Sequence, residues 1–275
     1  MNCKLLLDAL PHIYTRKVLF ISTISLLVWY FCYTNNIYVD MSSINDIYFI
    51  FIVLPLTFIL AQAETRRFRV LEAISLIKAQ IISMAISYDD RALSKGKNIT
   101  WFKENCWTSL IAFIHAFSTY LQSDFEDLET SVPLVMSVEN SIEWLSHRNE
   151  ELREIGVPAN EISRLSQYIN KIIDNFEIVR SYKYYHTSKI VVIFLEFFVI
   201  LWCIAFTPYY TWTGHIVGIL VWPFIASTFL ATINIQKILD HPFNNQDIID
   251  NIRVDFTWRI EQRIQKILFD DDSEK

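Results

Sequence analysis

The stretch FFVILWCIAFTPYYTWTGHIVGILVWPFIASTFLATINIQ, from Phe197 to Gln236, decides the fold class. It runs for about 40 residues without Asp, Glu, Lys or Arg, and a helix needs roughly 20 mainly apolar residues to cross a bilayer. Two shorter charge-free stretches occupy Val18–Val39 and Ile47–Ala63. Soluble proteins instead spread apolar residues at helix or strand period. We therefore predict four membrane-spanning helices, at 18–37, 47–63, 190–207 and 214–235.

The segment between the second and third spans is polar and reads as helical. Turn-forming residues are predicted to interrupt it at 94–97, 131–133 and 156–158, and Asn160 to cap the helix that follows. No stretch shows strand alternation or a repeat, so the chain is predicted to be all α. The predicted division is 1–63 (N-terminal segment and first two spans), 64–186 (cytoplasmic helical domain), 187–236 (third and fourth spans) and 237–275 (cytoplasmic C-terminal helix and tail).

Basic residues predict the orientation of the spans. Lys and Arg concentrate on the cytoplasmic side of membrane proteins. Here they flank one side of every span, and the short links 40–46 and 208–213 contain none. Both termini and the central segment are therefore predicted to be cytoplasmic, in a multi-pass protein of the cell membrane. The basic residues concerned are Lys4, Arg16, Lys17, Arg66, Arg67, Arg69, Lys183, Lys189, Lys237 and Arg253.

Composition argues against several functional classes. The net charge of −6 does not favour a nucleic-acid partner, which requires a basic surface. The four cysteines and six histidines fit no metal-ligand or redox spacing, and the chain has no phosphate-binding glycine loop or nucleophile elbow. We therefore predict neither an enzymatic activity nor a cofactor.

Several short motifs, in their order and spacing, resemble the bestrophin family of ion channels in its bacterial branch. Leu10–Arg16 leading into Leu26–Val28 is similar to the family's entry into its first span. Leu54–Phe58, followed by Ala63, Arg66 and Phe68, resembles the family's phenylalanine-led segment, and Arg69–Ala73 its closing Arg-x-x-Glu-Ala. Asp240–Phe243 resembles the acidic-Pro-Phe motif after the fourth span. The resemblance implies a homopentamer in the lipid bilayer that conducts inorganic ions, anions such as chloride being favoured.

Two departures from the family pattern concern calcium and the inner end of the pore. Asn244 replaces a glycine, and the acidic cluster behind it is thinned to Asn245, Gln246 and Asp247. Calcium prefers several carboxylate and carbonyl oxygens, so we do not expect a calcium site. His186 and Thr187 lie where the resemblance implies a second, cytoplasmic aperture. Five histidines there would make conductance depend on pH.

The resemblance implies that Ile50, Leu54 and Phe58 form the pore neck. They share one helical face, at i, i+4 and i+8, and a narrow apolar ring can gate a pore by excluding water. Helix packing would produce the same spacing, and a competing register is Val53, Thr57 and Ala61.

Charged residues complete the set of candidate functional residues. Arg66, Arg67 and Arg69 are predicted to form a charged vestibule that attracts anions, although anchoring at headgroup phosphates also explains such arginines. Glu196, within the third span, is either functional or a boundary carboxylate. Two alternative functions stay open, a cation-conducting homologue and a non-conducting membrane scaffold of the same fold.

Overall fold

The computed structural model describes residues 15–37, 39–40, 42–95, 99–123, 128–185, 189–240, 243 and 256–269. These residues are almost entirely helical and include no strand, which confirms the all-α prediction. The helices are α1 (Arg16–Thr34), α2 (Ser42–Lys95), α3 (Ile99–Gln122), α4 (Leu128–Glu154), α5 (Ala159–Tyr184), α6 (Lys189–Ala205), α7 (Thr207–Asp240) and α8 (Phe256–Phe269).

Proline is the reason that three predicted boundaries were wrong. The link expected at 208–213 is absent, because α6 and α7 are separated at Phe206 and Pro208 lies in the first turn of α7. Proline is accepted there, where its missing N–H has no helical partner. Pro133 lies inside α4, which begins at Leu128, so residues 131–133 do not interrupt a helix. Pro158, not Asn160, precedes the first residue of α5.

The break predicted at 156–158 is confirmed. Helix α4 ends at Glu154, and Gly156 adopts a positive φ of 91°, a conformation that costs glycine little because it has no Cβ. The N–H groups of Gly156 and Val157 donate to carbonyls of the last turn of α4, at 2.9 and 3.1 Å. This turn allows α5 to return along α4.

The chain divides into two compact units, which are described separately. The first comprises 1–67, 186–242 and 246–250, and the second comprises 68–185, 243–245 and 251–275. Helices α1, α6 and the described part of α7 pack together in the first unit, with residues of the N-terminal half of α2. Helices α3, α4, α5 and α8 pack together in the second unit, with residues of the C-terminal half of α2.

Two tryptophans dominate the core of the first unit. Trp202 and Trp222 are fully buried, and their rings meet edge to face at 4.9 Å. The Trp222 indole N–H donates to the Cys203 carbonyl at 3.2 Å and to the Thr207 hydroxyl at 3.0 Å. The polar edge of this side chain is thus satisfied at the junction of α6 and α7, as a buried indole requires.

Aromatic residues spaced along α3 form the core of the second unit. Phe113 and Phe117 stack at 5.9 Å, and Phe176 of α5 lies edge to face with Phe117 at 6.2 Å and with Tyr120 at 5.3 Å. Helix α8 packs on α3 through apolar side chains at every fourth position. These buried residues are Ile260, Ile264 and Leu268.

Lys183 of α5 caps the C-terminal end of α3. Its ammonium donates to the carbonyls of Tyr120, Leu121 and Ser123 at 2.5, 3.1 and 2.9 Å. These carbonyls lie at the C-terminal end of the helix, where the helix dipole favours a cation beside them. The ammonium also lies 5.7 Å from the ring of Phe243, which is buried. The phenylalanine of the acidic-Pro-Phe motif is thereby fixed in the core of the second unit.

A buried polar network joins α2, α3 and α4 in the second unit. Lys103 and Asp89 form an ion pair of 2.8 Å, and both side chains are almost fully buried. The Tyr88 hydroxyl donates to Asn149 Oδ1 at 3.1 Å. Burial raises the pKa of the Cys106 thiol well above its usual value, so this cysteine stays protonated and unreactive at neutral pH.

Large apolar side chains are exposed on the helices predicted to span the membrane. Among the described residues, Arg16–Thr34 and Ile50–Arg91 are long and apolar enough to cross a bilayer, and Ile190–Ala205 is a shorter apolar helix. Apolar patches of this extent indicate contact with lipid or with other protein chains. The most exposed of these side chains on α1 and α6 are Phe20, Leu27, Tyr30, Ile190 and Ile193.

We predict that the aromatic core of the second unit sets its stability. Phe176→Ala should lower the free energy of unfolding by about 3–5 kcal/mol, because it leaves a cavity among rings that cannot close around it. Ile178→Ala, two positions along α5 at a side chain 45% exposed, should change it by about 0.5 kcal/mol. Denaturant unfolding in mild detergent, followed by circular dichroism, measures both. Equal losses in the two variants would contradict this assignment.

Candidate functional site

The three predicted neck residues lie on one open face of α2. Ile50, Leu54 and Phe58 are 60%, 66% and 67% exposed in the single chain. Four residues make slightly more than one helical turn, so these three side chains form a stripe that drifts slowly around the helix. They do not contact one another as a closed site, because a ring would need the same residues from other copies of the chain.

The competing register lies on the same side of the helix. Thr57 and Ala61 are exposed and Val53 is half-buried. The Thr57 hydroxyl donates to the Val53 carbonyl at 2.8 Å, so it is satisfied within its own helix. The open face of α2 therefore includes both registers, and both remain predictions.

The opposite face of α2 is buried in the first unit. Ile52, Ile59 and Ala63 are 2%, 7% and 0% exposed, and Ile52 belongs to the same core as Trp202 and Trp222. Pro55 lies between the two faces and removes the hydrogen bond that an N–H at this position would donate to the Phe51 carbonyl. Helix α2 thus combines a packed inner face with an apolar outer face.

The three arginines lie on α2 beyond the neck residues. Arg66 and Arg67 are half-buried, and Arg69 is exposed. They fall within one turn and a half of a continuous helix, where side chains three residues apart share a face. A charged vestibule built from them remains a prediction.

Other predicted positions lie outside the described residues. His186 and Thr187 are among these, as are Asn244, Asn245, Gln246 and Asp247, where we expect no calcium site. Within the part of the chain that the structure describes, no three His, Cys, Asp or Glu side chains come together as metal ligands.

Glu196 forms an ionic cluster with two lysines in the first unit. Lys17 of α1 donates to Glu196 Oε1, and the Lys237 ammonium of α7 lies 3.5 Å from Oε2. The Glu196 side chain is only 13% exposed, so its charge is balanced by groups from two other helices. The cluster links α1, α6 and α7.

Sequence reasoning missed the two lysine partners of Glu196. Lys17 and Lys237 were considered only as markers of orientation. The available signal was their position, because each lies next to the cytoplasmic end of a predicted span, as Glu196 does. Charges of opposite sign at one depth on neighbouring helices are expected to pair.

A small cavity lies beside this cluster, between α2, α6 and α7. Its volume is about 10 Å³. Mostly apolar side chains line it, and the exceptions are the hydroxyl of Thr232 and the amide of Gln236. The lining residues are Leu56, Ile59, Val192, Leu195, Thr232, Ile233 and Gln236.

Known structures share this arrangement of helices across nearly the whole chain. Two crystal structures of variants of a bacterial bestrophin homologue from Klebsiella pneumoniae match with TM-scores of 0.75 and 0.76, each at 14% identity. They cover 92% and 91% of this chain and 96% and 98% of their own. A crystal structure described as a membrane protein matches with a TM-score of 0.74 at 13% identity, over 93% of this chain and 100% of that one.

Sequence comparison gives no corresponding match. No family model matches the chain, and no curated protein does. The likeness therefore lies in the fold, because only 13–14% of the aligned residues are identical. The fold is one that a protein described as a membrane protein shares, and two described helices of this chain are long and apolar enough to cross a bilayer. The chain has the fold of the bacterial bestrophin homologues, as its motifs predict.

Proposed function

We propose that the chain is the pore-forming subunit of a homopentameric ion channel. The observation that carries this proposal is the exposed stripe of Ile50, Leu54 and Phe58 on the helix whose other face is packed. Its occurrence in a chain with the bestrophin fold favours a pore axis on that side. Four spans are too few to enclose an ion path alone, so several copies are needed.

The stripe would act as a hydrophobic gate. Around a common axis, each of the three residues forms a ring of identical apolar side chains. A narrow apolar passage cannot replace the hydration shell of an ion, so it stops conduction when it is dry. Widening or wetting the rings opens the path. The role of Ile50, Leu54 and Phe58 as the pore neck is part of this proposal.

We propose anions such as chloride as the conducted ions. Arg66, Arg67 and Arg69 follow the neck on the same helix, and repetition around an axis would multiply their attraction for anions. The net charge of −6 favours the opposite preference, so a cation-conducting channel is the second candidate. Flux of chloride and of potassium into liposomes, measured on one preparation, distinguishes them.

The proposed topology has four spans with both termini in the cytoplasm. The basic residues at the span ends give this orientation by the positive-inside rule. His186 and Thr187 would then form the cytoplasmic aperture. A scaffold of the same fold would share this topology but would conduct no ion in liposomes.

We predict that Phe58→Ala raises ion flux without destabilising the protein. Phe58 is 67% exposed in the single chain and contributes little to the subunit core, so the free energy of unfolding should change by about 1 kcal/mol or less. Truncating one apolar ring should widen the passage and wet it. Liposome flux and thermal unfolding of the same preparation test both parts.

The matched control is Ile52→Ala, on the buried face of the same helix. Ile52 is 2% exposed, so its truncation should cost roughly 2–5 kcal/mol and leave flux per folded channel unchanged. A destabilised Phe58→Ala protein with unaltered flux would place Phe58 in ordinary packing. The register of Val53, Thr57 and Ala61 would then be tested by Thr57→Leu, which should narrow a wetter neck and lower flux.

We predict that the assembly is a ring of five chains. Native mass spectrometry in mild detergent should give a species of five times the 32.5 kDa chain mass. The exposed apolar faces of α2 provide the surface that such a ring must bury or line. A strictly monomeric or dimeric particle would rule out the channel.

We predict that an impermeant thiol reagent distinguishes the two sides of the membrane. With Cys3 replaced by serine, Ser42→Cys should be labelled from outside and Ser273→Cys only after permeabilisation. Both positions lie outside the described side chains, and the remaining cysteines, Cys32, Cys106 and Cys203, are buried and should react slowly. The reverse labelling pattern would invert the proposed orientation.

A further inference from the structure

We propose that the outer face of α8 binds the acidic outer face of α4 in a neighbouring copy of the chain. This inference deepens the proposed function and rests on its homo-oligomer, for which it names a contact between subunits. Both faces belong to the second unit, and they carry charges of opposite sign. Such a contact joins two different surfaces of the subunit, which is the kind of interface that closes into a ring.

The outer face of α8 is a row of three cations, which we call the basic stripe: Arg259, Arg263 and Lys266. Their spacing of four and three residues places them on one side of the helix. All three side chains are exposed, and none has an ion-pair partner among the described residues. The one glutamate of α8, Glu261, is directed towards α3, where it lies 3.1 Å from His115 Nε2. The basic stripe is therefore open to a partner.

The outer face of α4 is acidic along its C-terminal half. We call its exposed glutamates the acidic stripe: Glu139, Glu143, Glu150 and Glu154. They fall within roughly 60° around the helix axis. Helix α4 contains six glutamates and two arginines, a net charge of −4, whereas α8 contains three cations and one glutamate, a net charge of +2. Arg153 and Arg180 lie beside two of the stripe glutamates, at 3.1 and 3.7 Å, and compensate the charge in part.

The two stripes cannot meet within one chain, because α3 lies between their helices. On one side of α3, the Trp107 ring lies edge to face with Phe269 of α8 at 6.2 Å, and His115 pairs with the same helix. The other side carries Phe113 and Phe117, which belong to the core that α4 shares. These two sides are roughly 140° apart around the axis of α3. A partner for either stripe must therefore come from another molecule.

A second copy of the chain fits the basic stripe better than an anionic membrane surface does. The apolar face of α8 is already buried on α3 through Ile260 and Ile264, so this helix has no free apolar face to insert into a lipid interface. The acidic stripe supplies carboxylates at helical spacing, and arginine forms paired hydrogen bonds with carboxylates. The acidic run Asp270–Asp272 follows α8 beside Lys266, so Arg259 and Arg263, further from it, are expected to carry most of the contact.

The test is carbodiimide coupling of the full chain in lipid nanodiscs. The reagent joins an amine and a carboxylate that are in contact, as an amide with loss of water, so it can link Lys266 to the acidic stripe. We expect covalent oligomers on a denaturing gel, and mass spectrometry should find the link between the α8 and α4 peptides. Because α3 separates the two stripes in one chain, this link reports contact between two chains. Added salt should lower its yield.

Charge reversal identifies the groups that make the contact. Arg263→Glu should lower the yield of the link about tenfold, because like charges then face each other across the interface. Combining it with arginine at each glutamate of the acidic stripe in turn should restore the link for the position that faces residue 263. The matched control is Arg164→Glu on α5, where the side chain is exposed and has no ion-pair partner among the described residues. This control should leave the yield unchanged.

The outcomes separate this contact from the channel proposal. A pentamer whose unmodified chains give no link between α8 and α4 would overturn the contact and leave the channel proposal intact. Equal losses in Arg263→Glu and Arg164→Glu would do the same. So would failure of all four combined reversals to restore the link, the result expected if α8 faces lipid headgroups. A linked ring that passes no ions would contradict the channel proposal alone, and a strictly monomeric protein would overturn both.

Discussion

In the proposed membrane placement, the absence of hydrogen-bonding partners in hydrocarbon is the constraint on which the first unit depends. Every polar group at membrane depth must find its partner within the protein, and helices satisfy the backbone in this way. Several side chains of the first unit follow the same rule. The hydroxyls of Thr23, Thr57 and Thr228 each donate to the carbonyl four residues earlier. The indole N–H of Trp222 donates to the Thr207 hydroxyl, and the carboxylate of Glu196 accepts from the Lys17 ammonium.

The two faces of helix α2 differ in what they require of their side chains. Its inner face is closely packed, with Ile52 in the same apolar core as Trp202 and Trp222. Its outer face is free of that requirement and retains large apolar side chains that the single chain leaves exposed. A residue on the outer face can therefore change in size at little cost to the subunit. This freedom is what a neck residue requires, since its size sets the width of a passage instead of the density of a core.

Charge-free length and apolar period were sufficient to predict the all-α class, and the four spans remain part of the proposal. These signals depend on the chain alone, because a bilayer imposes a minimum length on any helix that crosses it. Proline positions were harder to interpret. Pro208 lies in the first turn of α7, where its missing N–H has no helical partner, whereas Pro55 and Pro133 lie inside α2 and α4, although the residue type is the same in all three. The helix ends therefore depended on context that composition does not contain.

The sequence predicted that the candidate neck residues share one face of a helix, but not how copies of that face are arranged around an axis. A period of four residues placed Ile50, Leu54 and Phe58 on one face, yet Val53, Thr57 and Ala61 have the same period. Only the position of other chains around an axis distinguishes the two registers. Contacts between residues that are distant in the sequence could not be predicted either. Lys183 was counted as a basic residue near a span, whereas its ammonium caps α3 through three carbonyls, 60 to 63 residues away in the chain.

The ionic cluster and the cavity follow from one local feature of the sequence. On α6, apolar Leu195 precedes charged Glu196, and on α7 neutral Gln236 precedes charged Lys237. Successive residues of a helix point about 100° apart, so each pair presents one side chain to the cluster and the other to the adjoining surface. Pairing of Glu196 with both lysines satisfies the charges and leaves the amide of Gln236 facing apolar side chains.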